Sequence, residues 1–157
     1  MKPTVYIETT IPSFYHSSRS TPELMALRDW TRSWWNEERD NYQLFTSDAV
    51  LDELESGEHP FKAEKIELIR GLAFVEITGA IAEIVAVYQA HRIMPKDDSG
   101  DALHLALASF HKCDYLLTWN CKHIANANKF DSSANCVHRN RIGNGVSRLR
   151  RVGERLY

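Results

Sequence analysis

Glu8, Glu53, Asp101 and Asn120 are spread over more than a hundred residues, yet each falls just past an apolar, strand-like run or in the opening turns of a helix-like one. In an α/β fold, the carboxyl ends of the strands and the starts of the following helices converge on one edge of the sheet, so residues placed this way can line a single pocket. Three carboxylates held close together repel. A hard divalent cation such as Mg²⁺ or Mn²⁺ relieves that repulsion and keeps positions open for a phosphate and a water. Thr118, two residues before Asn120, brings a hydroxyl to the same edge. These residue types point to metal-assisted phosphodiester hydrolysis, with Glu8, Glu53, Asp101 and Asn120 around the metal and Thr118 beside Asn120 orienting a water or the phosphate.

The elements that must position them follow from periodicity and punctuation. Val5-Tyr6-Ile7 is a short β-branched and aromatic run between Pro3 and Pro12, which predicts a buried first strand with Glu8 at its exit. Thr21 as N-cap, Pro22 at the first helical position and Glu23 in the first turn predict an amphipathic helix running to Arg39, with Leu24, Leu27, Trp30, Trp34 and Trp35 at helical spacing. Its tryptophans are expected in core or dimer contact rather than stacked on bases. Residues 42–46 alternate as a second strand and run into Ser47-Asp48, a capping pair for a helix over Ala49–Leu54. On that helix Glu53 borders the apolar face marked by Val50, Leu51 and Leu54, while Asp52 and Glu55 face solvent.

Further along, the same rhythm predicts a helix over 61–70, a strand over 72–78, a helix over 81–93, a helix over 101–112 and a strand over 114–118. Strand-then-helix repetition implies a mainly parallel sheet covered on both faces, a three-layer α/β/α architecture. Asp101 stands in the first turn of its helix, where the helix dipole alone stabilises a carboxylate by roughly 0.3–1 kcal/mol. His104, one turn on, reads as a satisfied helix histidine that can also approach the site, and Asp97 and Asp98 as helix caps or outer contacts to a metal. Arg19, Arg28 and Lys122 are candidates to meet phosphates.

Composition narrows the class. At 157 residues the chain suits one domain, and no apolar stretch reaches the roughly 18 residues of a membrane span. The opening MKPTVYIETTIP is a strand pattern rather than a secretory h-region, so a cytoplasmic location is expected. Cys113, Cys121 and Cys136 show no C-x-x-C spacing, and Cys121-x-His123 lacks a second ligand pair, so neither a disulfide framework nor structural zinc is indicated. Six Arg against one acid, Glu154, give residues 137–157 a charge of +5 and the rest −7 within the net −2, which suits an anionic partner for the tail. The domain is expected over 1–130, with 131–157 an atypical, Arg-rich and partly disordered tail.

Four segments in this order, Val5-Tyr-Ile-Glu-Thr-Thr, Ser47-Asp-Ala-Val-Leu-Asp-Glu-Leu, Gly100-Asp-Ala-Leu-His-Leu-Ala and Leu116-Leu-Thr-Trp-Asn-Cys-Lys-His-Ile, resemble the PIN-domain family, in particular the VapC-type toxins of bacterial type II toxin-antitoxin systems. The resemblance implies a PIN-like α/β/α nuclease fold, a homodimer, a cognate antitoxin as partner and Mg²⁺- or Mn²⁺-dependent cleavage of RNA. Position by position it places Glu8 as the first-strand acid, Glu53 as the helix acid, Asp101 as the third acid, Asn120 as the fourth polar position and Thr118 as the accompanying hydroxyl. It departs at Glu8, where the family usually carries Asp, and in the tail. The alternative class is a catalytically inactive PIN-like module that binds an antitoxin or RNA.

Overall fold

In the computed structural model, which describes residues 1–91 and 100–120, four short strands form one sheet: β1 (Thr4–Ile7), β2 (Gln43–Ser47), β3 (Ala73–Val75) and β4 (Tyr115–Leu117). Every pairing is parallel and the order is β3-β2-β1-β4. The six α-helices among the described residues are α1 (Thr10–Tyr15), α2 (Pro22–Ser33), α3 (Asp48–Glu55), α4 (Lys62–Arg70), α5 (Gly79–Ala90) and α6 (Asp101–Phe110). The chain is therefore α/β, with a parallel sheet between helices, in keeping with the three-layer reading. None of these helices is long and apolar enough to cross a membrane.

Side-chain alternation along the strands divides the core in two. Tyr6 and its register partner Leu116 pack with Val50, Leu54, Ile69, Ile81 and the apolar side of α6, whereas Val5, Ile7 and Leu117 pack with Ile11, Trp35 and Leu44 on the opposite face. Each fully buried aliphatic side chain contributes about 1.5–3 kcal/mol relative to exposure, so a one-residue slip in β1 would forfeit both faces together.

The order of the strands also decides where a ligand can enter. From β1 the chain moves to β2 and then β3 on one side, and β4 returns on the other side of β1. The carboxyl ends of β1 and β4 thus flank a topological switch point, the crevice where open parallel sheets bind ligands. Glu8 follows β1 directly and Thr118 follows β4 directly.

Three local expectations are corrected. Pro12 does not merely close the first strand: it sits in the first turn of α1, an extra helix where its missing N–H costs no hydrogen bond. The α-helix from Pro22 ends at Ser33, and the chain continues as a π-helical turn over Trp34–Glu38 and a 3₁₀ turn over Arg39–Asn41. There Trp35 is buried and Trp34 stacks on Tyr42, with ring centroids 5.7 Å apart, which bears out the core reading of these two tryptophans. Ser47 occupies the N-cap of α3 without a side-chain capping bond, because its hydroxyl is engaged by Tyr6 Oη at 2.8 Å. Asp97, Asp98, Cys121, Lys122, His123 and the tail 131–157 lie outside the described residues.

Candidate metal centre

Glu8 is buried at the exit of β1 and one of its oxygens is fully engaged. Oε2 accepts the Thr10 N–H at 3.0 Å, the Thr10 hydroxyl at 2.5 Å and the Thr118 hydroxyl at 2.8 Å. Both hydroxyls are fixed in turn, since Thr10 Oγ1 accepts the Trp119 N–H at 2.8 Å and Thr118 Oγ1 accepts the Asn120 N–H at 2.9 Å. Backbone donors of the β4 exit are thereby relayed through two threonines onto one carboxylate oxygen across the switch point. The other oxygen, Oε1, has no hydrogen-bond partner among the described residues. Burial pushes the Glu8 carboxyl above the ordinary carboxylate range, against the charge of His104 and the threonine hydrogen bonds.

Glu53 reaches the same place from α3. One oxygen receives the Thr9 hydroxyl, and Oε1 receives His104 Nε2–H at 2.7 Å. Its side chain is 34% exposed, so the site opens to solvent at this carboxylate. Burial would raise its pKa, but the hydrogen bond and charge of His104, with Thr9, outweigh burial and hold it below the usual value. His104 shows the converse: burial lowers it, while the bond to Glu53 and the charges of Glu8, Glu53 and Asp101 carry it above the ordinary histidine value.

Ligand atoms of Glu8, Glu53 and His104 all lie within 4.8 Å of one another. His104, however, has both ring nitrogens committed, Nδ1 to Tyr6 Oη at 2.8 Å and Nε2 to Glu53. It is fully buried and links Ser47 and Tyr6 to Glu53 in one hydrogen-bonded chain, and this makes it a positioning residue for Glu53. Burial drives the Tyr6 phenol far above its ordinary value, so it stays a neutral link in that chain.

Asp101 is also buried and lies one turn before His104 on α6, on the same face. It stands outside the 4.8 Å cluster, although its charge acts on His104. Its Oδ2 is buried without a hydrogen-bond partner among the described residues, the kind of orphaned acceptor that folded proteins leave only where something else satisfies it. Gly100, in the left-handed region at φ +76°, begins α6 so close to Glu53 that a Cβ there would stand 2.6 Å from Oε1.

The donors fit a hard divalent cation. Two clustered carboxylates, with Asp101 one turn before His104, and one oxygen each on Glu8 and Asp101 without a hydrogen-bond partner among the described residues are oxygen donors of the kind Mg²⁺ and Mn²⁺ take. Of the five residues expected from sequence, Glu8, Glu53 and Thr118 are brought together directly. Asp101 stands outside the cluster and acts on His104 through its charge, and Asn120 is tied in through its backbone N–H to Thr118. Thr118 serves Glu8 rather than contributing a ligand of its own. Sequence reasoning missed Thr9 and Thr10 as carboxylate donors, and it gave His104 too small a part. The Asp101-x-x-His104 spacing was the available signal, because residues three apart share a helix face.

Compared with known protein families, with curated proteins and with solved structures, the chain matches none.

Proposed function

We propose that this chain is a metal-dependent endoribonuclease that hydrolyses RNA phosphodiester bonds with Mg²⁺ or Mn²⁺. On the resemblance of its four segments we further propose that it is the cytoplasmic, homodimeric toxin of a bacterial toxin-antitoxin pair, held in check by a cognate antitoxin. The observation that supports the nuclease reading is the cluster of Glu8, Glu53 and His104 within 4.8 Å at the exit of β1, with a buried Asp101 oxygen one turn before His104 that has no hydrogen-bond partner among the described residues.

Glu8, Glu53 and Asp101 would hold the ion. A divalent ion bound there supplies a water acidic enough to be a nucleophile near neutral pH and offsets the charge that builds on the phosphorus, effects worth several kcal/mol of barrier. The residues of the chain orient and insulate. Thr10 and Thr118 aim Glu8 by occupying Oε2 and leaving Oε1 to point elsewhere. Thr9 and His104 lock Glu53, and the buried Tyr6-Ser47 pair holds the His104 ring. The partly exposed Glu53 marks the side from which a phosphate strand enters.

Cleavage of a panel of labelled structured RNAs by the purified protein tests the reading, with Mn²⁺ or Mg²⁺ beside EDTA and Asp101→Ala controls. Cleavage that needs metal and is lost in both controls is the expected result. Absence of cleavage by folded wild-type protein refutes the nuclease in favour of a binding module.

A further inference from the structure

Lys65, on α4, is only 8% exposed. Lysines are rarely so buried unless paired, yet among the described residues no carboxylate pairs with its ammonium. Its one hydrogen-bond partner is His59 Nδ1, at 3.4 Å. His59 Nε2–H donates to the Leu54 carbonyl at 2.8 Å, which leaves Nδ1 to accept from the ammonium. An ammonium carries three donors, so two remain without an acceptor among the described residues.

The surroundings add positive charge. Burial, and after it the charge of exposed Arg19, holds the Lys65 ammonium below the usual lysine range. Arg32 donates from Nε to the Tyr15 carbonyl at 2.8 Å, at the end of α1, beside His16. Of the charged groups that act on His16, Arg32 and Lys65 are cations and Glu64 is the one acid. A buried ammonium kept among cations costs stability, and an anion from outside would offset that cost.

The location is specific. α4 packs on α1 and α3, and both of those enter the carboxylate site, α1 through Thr10 and α3 through Glu53. The six residues of α1 span about 9 Å at 1.5 Å each, so its far end lies outside the carboxylate site.

We propose that Lys65, where α4 packs on α1, forms with the cation Arg19 an anion subsite that grips a backbone phosphate of single-stranded RNA outside the Glu8–Glu53–Asp101 centre. This rests on the ribonuclease reading for the identity of the strand, but not on cleavage. The contact is to phosphate and therefore independent of base sequence.

The test is fluorescence anisotropy of a labelled 12-nucleotide single-stranded RNA in EDTA over a KCl series, with wild type, Lys65→Met and Arg19→Ala, beside melting curves and the metal-dependent cleavage assay. Lys65→Met is expected to weaken binding on the order of tenfold, equally for different sequences, and to lower the slope of log K against log salt by about 0.7, without lowering Tm. Arg19→Ala changes an exposed side chain and is expected to weaken binding less, with the same uniformity. Wild-type affinity in both variants, or no RNA binding by wild type, overturns the subsite. Cleavage with unchanged binding in the variants leaves the nuclease standing without the subsite, and reduced variant binding without any wild-type cleavage does the reverse.

Discussion

Gly100→Ala perturbs the site at its tightest contact. Gly100 holds φ +76°, where an L-residue is strained by about 1–2 kcal/mol. The added Cβ would stand 2.6 Å from Glu53 Oε1, whereas ordinary contact begins at 3.4 Å, so the oxygen must retreat by about 0.8 Å. Retreat costs little in itself, because the oxygen ends a flexible, partly exposed side chain. The distances from that Cβ to Oε1 and to His104 Nε2, 2.6 and 3.8 Å, with the 2.7 Å bond between them, set the retreat nearly perpendicular to that bond, so Glu53 keeps His104 while its carboxylate moves off the position the metal would need. The backbone term should lower Tm by roughly 2–8 °C in a chain of this size. Displacement of the Glu53 carboxylate by about 0.8 Å should weaken Mn²⁺ binding by about 10-fold or more. Thermal melts and calorimetric Mn²⁺ titration would be run beside Gly71→Ala, where no neighbouring heavy atom lies within 4 Å of the new Cβ. A Gly100→Ala protein with the Tm and Mn²⁺ affinity of wild type would refute the reasoning.

In EDTA, the His104–Glu53 pair should shape stability against pH. The folded pKa of His104 is raised, so its contribution is complete below the ordinary value of 6.5 and fades as pH rises through the folded pKa. That of Glu53 is lowered, so its contribution is complete above 4.5 and fades as pH falls through the folded pKa. Tm of the metal-free protein should therefore be highest between these values and decline above them, a decline that His104→Leu flattens; a Tm that climbs steadily from pH 6 to 8 would contradict this. Thr118→Val removes a donor to Glu8 and the acceptor of the Asn120 N–H, and it should cost about 1–3 kcal/mol in urea denaturation; an unchanged midpoint would show that the Glu8 relay contributes nothing. Burial pushes the Cys113 thiol up to about 12, so peptide mapping after native iodoacetamide treatment should find it unmodified, and rapid alkylation would contradict its burial.

Much of the scaffold was legible because local chemistry and tertiary role agree. The Val5-Tyr6-Ile7 alternation serves two core faces, and Thr21 does cap α2, accepting the Leu24 N–H. Glu8 and Asp101 were legible as a strand exit and a helix start. What stayed hidden depends on partners remote in sequence. No local pattern says that Ser47 forgoes its helix cap for Tyr6, or that Tyr6 then fixes His104, 98 residues away. Pro12 carries the same signal as a strand stop and as a first-turn helix residue, and only the Thr9-Thr10 contacts to the two carboxylates decide for the helix. Lys65 looked like any polar helix residue until packing of α4 against α1 and α3 buried it.

The most direct measurement is an anomalous difference map from crystals of the protein soaked in Mn²⁺, since it locates the ion rather than its consequences. A peak among Glu8, Glu53 and Asp101 at the β1/β4 crevice is the expected result. Ordered carboxylates with no peak between them, or manganese bound only elsewhere, would contradict the proposed metal centre.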